Sequence, residues 1–248
     1  SYIIICILGM FIGCYINLCI DQIPKGESII VPPSYFLCSK TSFTLLHCIL
    51  YYFCSRNGVK KRKTTLRYPI VEILLSMLLV LIYHQYGLGF RAFAAVLIAC
   101  SLVTLSFIDL AYMIIPDSIN IFIASSGIFF MLMRWSVSSL IQGIMGFLIG
   151  GGTLLLIGYL AICILKKEGM GGGDIKLAAA CGLCLGANKI FVAFIITGYV
   201  AGFVLLILLV LRKINKNQYI PFGPFISTGV MITVLFYENI INLYRWLL

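Results

Sequence analysis

Charged side chains are scarce in this sequence, and their scarcity excludes most kinds of protein. Only 10% of the 248 residues are charged, whereas 62% are hydrophobic. Eight acidic and eighteen basic side chains cannot cover the surface of a soluble domain of this length. Several apolar stretches instead approach the roughly 20 residues that cross a bilayer as a helix. The composition therefore predicts a polytopic membrane protein surrounded by the lipid bilayer.

Three other familiar features are missing. The first residues enter an apolar stretch without the basic segment and cleavage site of a signal peptide, which indicates a retained first helix. No internal repeat is visible, and this disfavours the common transporter folds. Most of the ten cysteines fall inside apolar stretches, where thiols behave as small hydrophobic groups. We therefore expect reduced cysteines rather than a disulfide framework.

The apolar stretches predict an all-α fold with about eight transmembrane helices. Their expected ranges are 2–20, 69–87, 91–111, 118–134, 139–165, 174–187, 189–211 and 221–244. The sixth is short for a full crossing, so we expect it to be tilted or buried among its neighbours. We divide the chain into residues 1–68, a first transmembrane helix with a basic cytoplasmic loop, and residues 69–248, a seven-helix transmembrane core.

The net charge of +10 indicates how the chain is oriented in the membrane. Basic residues collect in the loop 21–68 and in the other loops that reach the same face, which predicts that this face is cytoplasmic and that both termini are outside. Nucleic acid is not an expected partner, because the basic residues lie in loops between apolar spans and not along one face of a module.

Two aspartates are predicted to lie at one depth near the cytoplasmic face. Asp109, in "SFIDLAYMIIPD", ends the third span, and Asp174, in "EGMGGGDIKLAAACG", begins the sixth. Paired carboxylates can hydrolyse a peptide, because the ionised one activates water while the protonated one protonates the scissile amide. The alternative is two interfacial aspartates that never meet. Asp117 follows Pro116 and is expected to be a helix N-cap.

Other residues near these aspartates are candidate substrate contacts. The glycines Gly171, Gly172 and Gly173 would allow backbone conformations closed to other residues and a close approach to an extended substrate. Glu72 lies inside the second span, where an unpaired carboxylate is expensive, so either Arg67 pairs with it or it contacts substrate.

Five ordered blocks of sequence resemble the type IV prepilin peptidase family. "EGMGGGDIKLAAACG" is similar to its G-x-G-D segment, and "IDLAYMIIPDSI" resembles its other catalytic segment. The remaining blocks are "GMFIGCYIN" with the following "PKGESIIVPPS", "RYPIVEIL", and "PFGPFI". The resemblance implies a membrane-embedded GxGD aspartic endopeptidase of the inner membrane, which cleaves the leader of type IV prepilins or pseudopilins at the cytoplasmic face. It implies that Asp109 and Asp174 are the catalytic pair and that Asp117 is non-catalytic.

The resemblance also bears on cofactors. Proteolysis needs none, whereas many members methylate the new N-terminus with S-adenosylmethionine. Many members carry two C-x-x-C pairs in the first loop, a plausible zinc site. Here the corresponding positions are Phe36, Ser39, Asn57 and Lys60, so we expect no structural zinc. Cys14 and Gln22 replace the usual Ser and Arg in the region linked to methyl transfer.

Three hypotheses about mechanism follow. Asp174 begins a helix and would be the ionised base, whereas Asp109 lies near a helix C-terminus and would be the protonated acid. Glu168 would attract the basic leader or remain a solvated charge. Lys176 would be an electrostatic partner of Asp174 or an anchor at the inner face. The alternative function is an ion-coupled transporter or channel component, and a third is a related protease with preflagellin-type or presenilin-type substrates.

Overall fold

The computed structural model describes residues 2–26, 67–134, 136–166, 170–211 and 220–247. Within these ranges the chain forms eight α-helices and no strand, which confirms the predicted all-α class. The chain divides into two compact units, Ser1–Leu88 and Gly89–Leu248. The predicted division after residue 68 would separate the two helices that pack together in the first unit.

The first unit is an antiparallel pair of helices. Helix α1 spans Tyr2–Gln22 and is followed by a 3₁₀ turn, Ile23–Lys25, while α2 spans Arg67–Tyr86. Gly9 and Gly13 let the two backbones approach closely, since a Cβ at Gly9 would lie 2.5 Å from Ser76 Cα and one at Gly13 would lie 2.7 Å from Glu72 Cα. Small residues four positions apart are a common interface between membrane helices.

The second unit is a bundle of six helices. They are α3 Phe90–Tyr112, α4 Asp117–Arg134, α5 Val137–Leu165, α6 Gly172–Leu185, α7 Ala187–Val210 and α8 Gly223–Leu247. The short α6 is the centre of this bundle, because it contacts α4, α5, α7 and α8. Residues Leu177 to Gly182 along it are buried. The prediction of a short sixth helix buried among its neighbours is confirmed.

Glycines allow α6 to occupy this central position. A Cβ at Gly146 of α5 or at Gly182 of α6 would collide with the backbone of the other helix. Gly186 then ends α6 with φ at +81°, in the left-handed region that favours glycine, and α7 begins at the next residue. The chain thus passes from α6 into α7 with Gly186 as the single residue between them.

Six helices in the described ranges are long and apolar enough to cross a membrane. They lie within Tyr2–Lys25, Arg67–Tyr86, Phe90–Tyr112, Val137–Ile164, Ala187–Val210 and Gly223–Trp246. Asp117–Met133 is apolar but shorter, and α6 has only 14 residues. The protein is therefore a multi-pass membrane protein, in which six of the eight predicted helices have the length and composition of a span.

Candidate active site

Asp109 lies in the last turn of α3 and is buried, with 5% of its surface exposed. The helix ends just beyond it, because Met113 adopts a left-handed conformation (φ 55°) and donates its N–H to the Asp109 carbonyl oxygen at 2.8 Å. The Asp109 carboxylate accepts a hydrogen bond from the backbone N–H of Gly223, with 2.9 Å between N and Oδ2. The N-terminus of α8 therefore faces this carboxylate.

Asp174 is the third residue of α6 and is also buried, with 9% of its surface exposed. Its backbone N–H donates to the carbonyl oxygen of Gly171 at 3.1 Å, which fixes the first turn of the helix. Its carboxylate oxygen Oδ1 is buried and has no hydrogen-bond partner. A buried, unpartnered carboxylate oxygen disfavours ionisation.

The two carboxylates lie close enough to interact electrostatically. Burial and, as the second cause, the charge of Asp109 together raise the pKa of Asp174 to about 6, although a backbone hydrogen bond with Gly171 lowers it. Asp174 is on α6, outside the candidate spans. The helices that carry the pair, α3 and α6, make at most marginal direct contact in the described ranges. The carboxylates therefore approach each other through the ends of their helices.

Of the three glycines before Asp174, Gly173 allows a close approach to another segment, and none has an unusual backbone angle. None of Gly171, Gly172 and Gly173 has φ in the left-handed region, so the expectation of conformations closed to other residues is wrong for these three. A Cβ at Gly173 would lie 2.9 Å from Ile115 Cβ, and one at Gly171 would lie 3.3 Å from Asp174 Oδ2. A Cβ at Gly172 would enter open space.

Lys176 contacts Asp117, an aspartate that neither of its two predicted roles included. Its ammonium group binds both carboxylate oxygens of Asp117, at 2.8 and 2.9 Å, and the ion pair is exposed. Asp117 is the first residue of α4 and not its cap. The ammonium group therefore pairs with Asp117 and not with Asp174, since the connector between α3 and α4 brings Asp117 alongside the start of α6, while the alternative of an anchor at the inner face stays a prediction.

The other predicted contacts, Glu72 and Glu168, stay predictions. Glu72 is half-buried on α2, in the first unit, where its backbone packs against Gly13. The ion pair that Arg67 forms is with Asp21, at 2.5 Å, and Tyr68 also donates to Asp21. Glu168 lies outside the described residues.

Sequence reasoning missed Gly223 as part of the site. A Cβ there would lie 2.7 Å from Asp109 Oδ2 and 3.2 Å from Leu105 Cδ2, so only glycine allows its N–H to reach the carboxylate. The signal was present in "PFGPFI", where a glycine stands at the start of an apolar helix. The contact spans 114 positions of sequence, and nothing local identifies its partner.

Metal ligands are not assembled in the described part of the chain. No group of three or more His, Cys, Asp or Glu side chains there is placed to hold a metal ion. The first-loop positions Phe36, Ser39, Asn57 and Lys60 lie outside the described residues, so the expectation of no zinc stays a prediction.

Two protein families have sequence models that match the chain. The bacterial peptidase A24 N-terminal domain matches residues 7–86, and the type IV leader peptidase family matches residues 96–207. The chain belongs to the type IV leader peptidase family. The two matched regions follow the two compact units of the fold, and the second contains both Asp109 and Asp174.

Relatives from several bacteria carry the name prepilin leader peptidase/N-methyltransferase. The one from Aeromonas hydrophila is 33% identical over 178 residues, which cover 72% of this chain and 61% of the relative. The relative from Xanthomonas campestris pv. campestris is 26% identical, and the match covers 94% of this chain and 90% of the relative. The relative from Bacillus subtilis (strain 168) is also 26% identical, and the match covers 97% of this chain and 96% of the relative. The matched region thus spans under two thirds of the length of the Aeromonas relatives. No solved structure matches the chain.

Proposed function

We propose that this protein is a membrane-embedded aspartic endopeptidase that cleaves the leader of type IV prepilins or pseudopilins, with Asp109 and Asp174 as its catalytic residues. The observation that carries the proposal is the convergence of two buried carboxylates, on separate helices, close enough for the charge of one to raise the pKa of the other. Coupled carboxylates of this kind share protons, and this property allows one to act as base while the other acts as acid.

We infer the resting roles of the two carboxylates from their environments. The Gly223 N–H and the N-terminus of α8 stabilise negative charge on Asp109, whereas Asp174 has a buried oxygen without a donor. Asp109 is therefore the ionised base and Asp174 the protonated acid. These proposed roles differ from those expected from the dipoles of their own helices, because the helix that begins at Gly223 adds a donor to Asp109.

The proposed reaction uses one water molecule. Asp109 accepts a proton from water as the water oxygen attacks the scissile carbonyl carbon, and Asp174 hydrogen-bonds the carbonyl oxygen that gains charge. A proton then passes to the leaving nitrogen, the C–N bond breaks, and the products are a carboxylic acid and a free amine. One carboxylate ends protonated and the other ionised, so the pair is ready for another cycle.

The proposed substrate matches the depth of the site. A prepilin presents an apolar helix that can lie in the bilayer and a basic leader that remains in water, so its scissile bond lies near the membrane surface. We place the site at the cytoplasmic face of the inner membrane, where the basic loops predict that this end lies. Gly171, Gly172, Glu72 and Glu168 remain proposed substrate contacts, and no nucleic acid is involved.

Methylation of the new amine is the second proposed activity, and S-adenosylmethionine would supply the methyl group. Asn17 Oδ1 and Gln22 Oε1 are buried acceptors without hydrogen-bond partners. Because an ammonium group needs such acceptors, these two residues fit the amino-acid part of this cofactor. Their role in the protein would be to bind and orient it.

A transporter or channel component is not supported by any of the reported relatives, which carry the name of a peptidase. The experiment that tests the proposal is to incubate purified protein and a prepilin with S-adenosylmethionine, and to weigh the product. Loss of the leader mass supports the peptidase, and a further gain of one methyl group supports the second activity. An uncut prepilin would refute both.

A further inference from the structure

The ion pair between Asp117 and Lys176 joins the two segments that carry the catalytic residues. Lys176 follows Asp174 by two positions on the first turns of α6, and Asp117 follows Asp109 across the connector 113–116. The Lys176 ammonium reaches both oxygens of the Asp117 carboxylate, at 2.8 and 2.9 Å. A bidentate pair fixes the relative position of its partners better than a single contact does.

A second contact lies beside the ion pair. Ile115, in the connector, packs against Gly173, where even an added Cβ would come within 2.9 Å of the Ile115 Cβ. The connector therefore rests on the N-terminal turn of α6 through one apolar and one ionic contact. Both contacts lie within two residues of Asp174.

These contacts matter because α3 and α6 scarcely pack against each other in the described ranges. The separation of Asp109 and Asp174 must then be set by the elements between them, which are α4, α8 and the connector. Acid and base groups have to be held in their productive geometry, and an error of about 1 Å can cost a hundredfold in rate.

We propose that Asp117 and Lys176 are positioning residues, whose ion pair holds the connector on α6 and so sets the distance between Asp109 and Asp174. The inference rests on the proposed peptidase function. Neither side chain is a catalytic residue here, because the Lys176 ammonium group is bound by Asp117. The side chains are 59% and 61% exposed, so the pair adds little to global stability and acts locally.

The test is a set of four variants measured for prepilin cleavage. Lys176→Met and Asp117→Asn are each expected to lower kcat about tenfold while KM changes less than about twofold. The double variant is expected to lose no more than either single one, because the same contact is lost in all three. Lys176→Arg keeps the ion pair and is expected to stay within about twofold of wild type.

Lys25→Met is the matched control, since it removes an exposed lysine that takes no part in the ion pair. Its kcat and KM are expected to equal those of wild type. The proposal is overturned if the losses of the single variants multiply in the double variant, or if Lys176→Met raises KM without lowering kcat, as a direct substrate contact would. It is also overturned if Lys176→Arg is as poor as Lys176→Met.

Hydrogen exchange separates this proposal from the peptidase function. In Lys176→Met and Asp117→Asn, amides of the connector and of residues 171–174 should exchange faster than in wild type or Lys25→Met. If wild type does not cut a prepilin but exchange responds in this way, the peptidase function fails and the positioning contact stands. If wild type cuts and exchange is unchanged, the positioning role fails.

Discussion

Gly223 donates its backbone N–H to Asp109 Oδ2 across 2.9 Å, from the first residue of α8 to the last turn of α3. The contact replaces water as the hydrogen-bond donor to a buried carboxylate, and the start of α8 adds the positive end of a helix dipole. It also explains how an aspartate at a helix C-terminus can carry negative charge. The position of this carboxylate therefore depends on a residue without a side chain.

Gly223→Ala is expected to displace the Asp109 carboxylate, because the new Cβ would lie 2.7 Å from Oδ2. We expect a loss in kcat of about a hundredfold for prepilin cleavage and a smaller change in KM. The control is Gly198→Ala on α7, where nothing lies within 4 Å of an added Cβ. Equal activity of the two variants would show that Gly223 has no part in placing Asp109.

Gly173 and Gly172 should respond differently to the same substitution. Gly173→Ala would push Ile115 away from α6, so we expect a lower thermal midpoint and a lower kcat. Gly172→Ala meets open space, so we expect an unchanged midpoint and a higher KM if the substrate backbone passes there, as proposed. Thermal melts in detergent and cleavage kinetics check both variants. Identical behaviour of the two would contradict the packing role of Gly173.

Asp174→Asn is expected to stabilise the fold above pH 6. The folded-state pKa of Asp174 is raised from 3.8 to about 6, so folding favours the protonated form and stability falls as the pH rises from about 4 to about 6. Asn cannot ionise, and its advantage should therefore be absent at pH 4 and reach about 1 to 3 kcal/mol at pH 7. Thermal midpoints across this pH range measure the difference.

A loss of stability in Asp174→Asn at pH 7 would instead indicate an ionised Asp174 with favourable partners. Asp117→Asn is the control for the general effect of removing an acidic side chain, because Asp117 is exposed. The difference between its midpoint and that of wild type should change with pH much less than the difference between Asp174→Asn and wild type.

The fold was largely predictable, because the length of each apolar stretch and the charged, glycine and proline residues between the stretches determine where membrane helices begin and end. Predicted ranges such as 2–20 and 91–111 correspond to Tyr2–Gln22 and Phe90–Tyr112. The number of full spans was less predictable, since an apolar stretch inside a bundle, such as α6, resembles a lipid-facing one in composition.

Only the acidic residues of the candidate site could be predicted from the sequence. Asp109 and Asp174 were identifiable because so few carboxylates exist and each could be weighed. Their partners were not, because Gly223 and Ile115 reach the site through tertiary contacts that leave no periodic pattern. The sequence offers Asp174 as the nearest aspartate to Lys176, whereas packing of α4 beside α6 presents Lys176 with Asp117.

Cleavage of a purified prepilin by wild type, Asp109→Asn and Asp174→Asn under single-turnover conditions tests the paired mechanism most directly. We predict that wild type removes the leader, and that each variant binds the prepilin with similar affinity but cuts it at least about a thousandfold more slowly. Cleavage by either variant within about tenfold of the wild-type rate would contradict a reaction that needs both carboxylates.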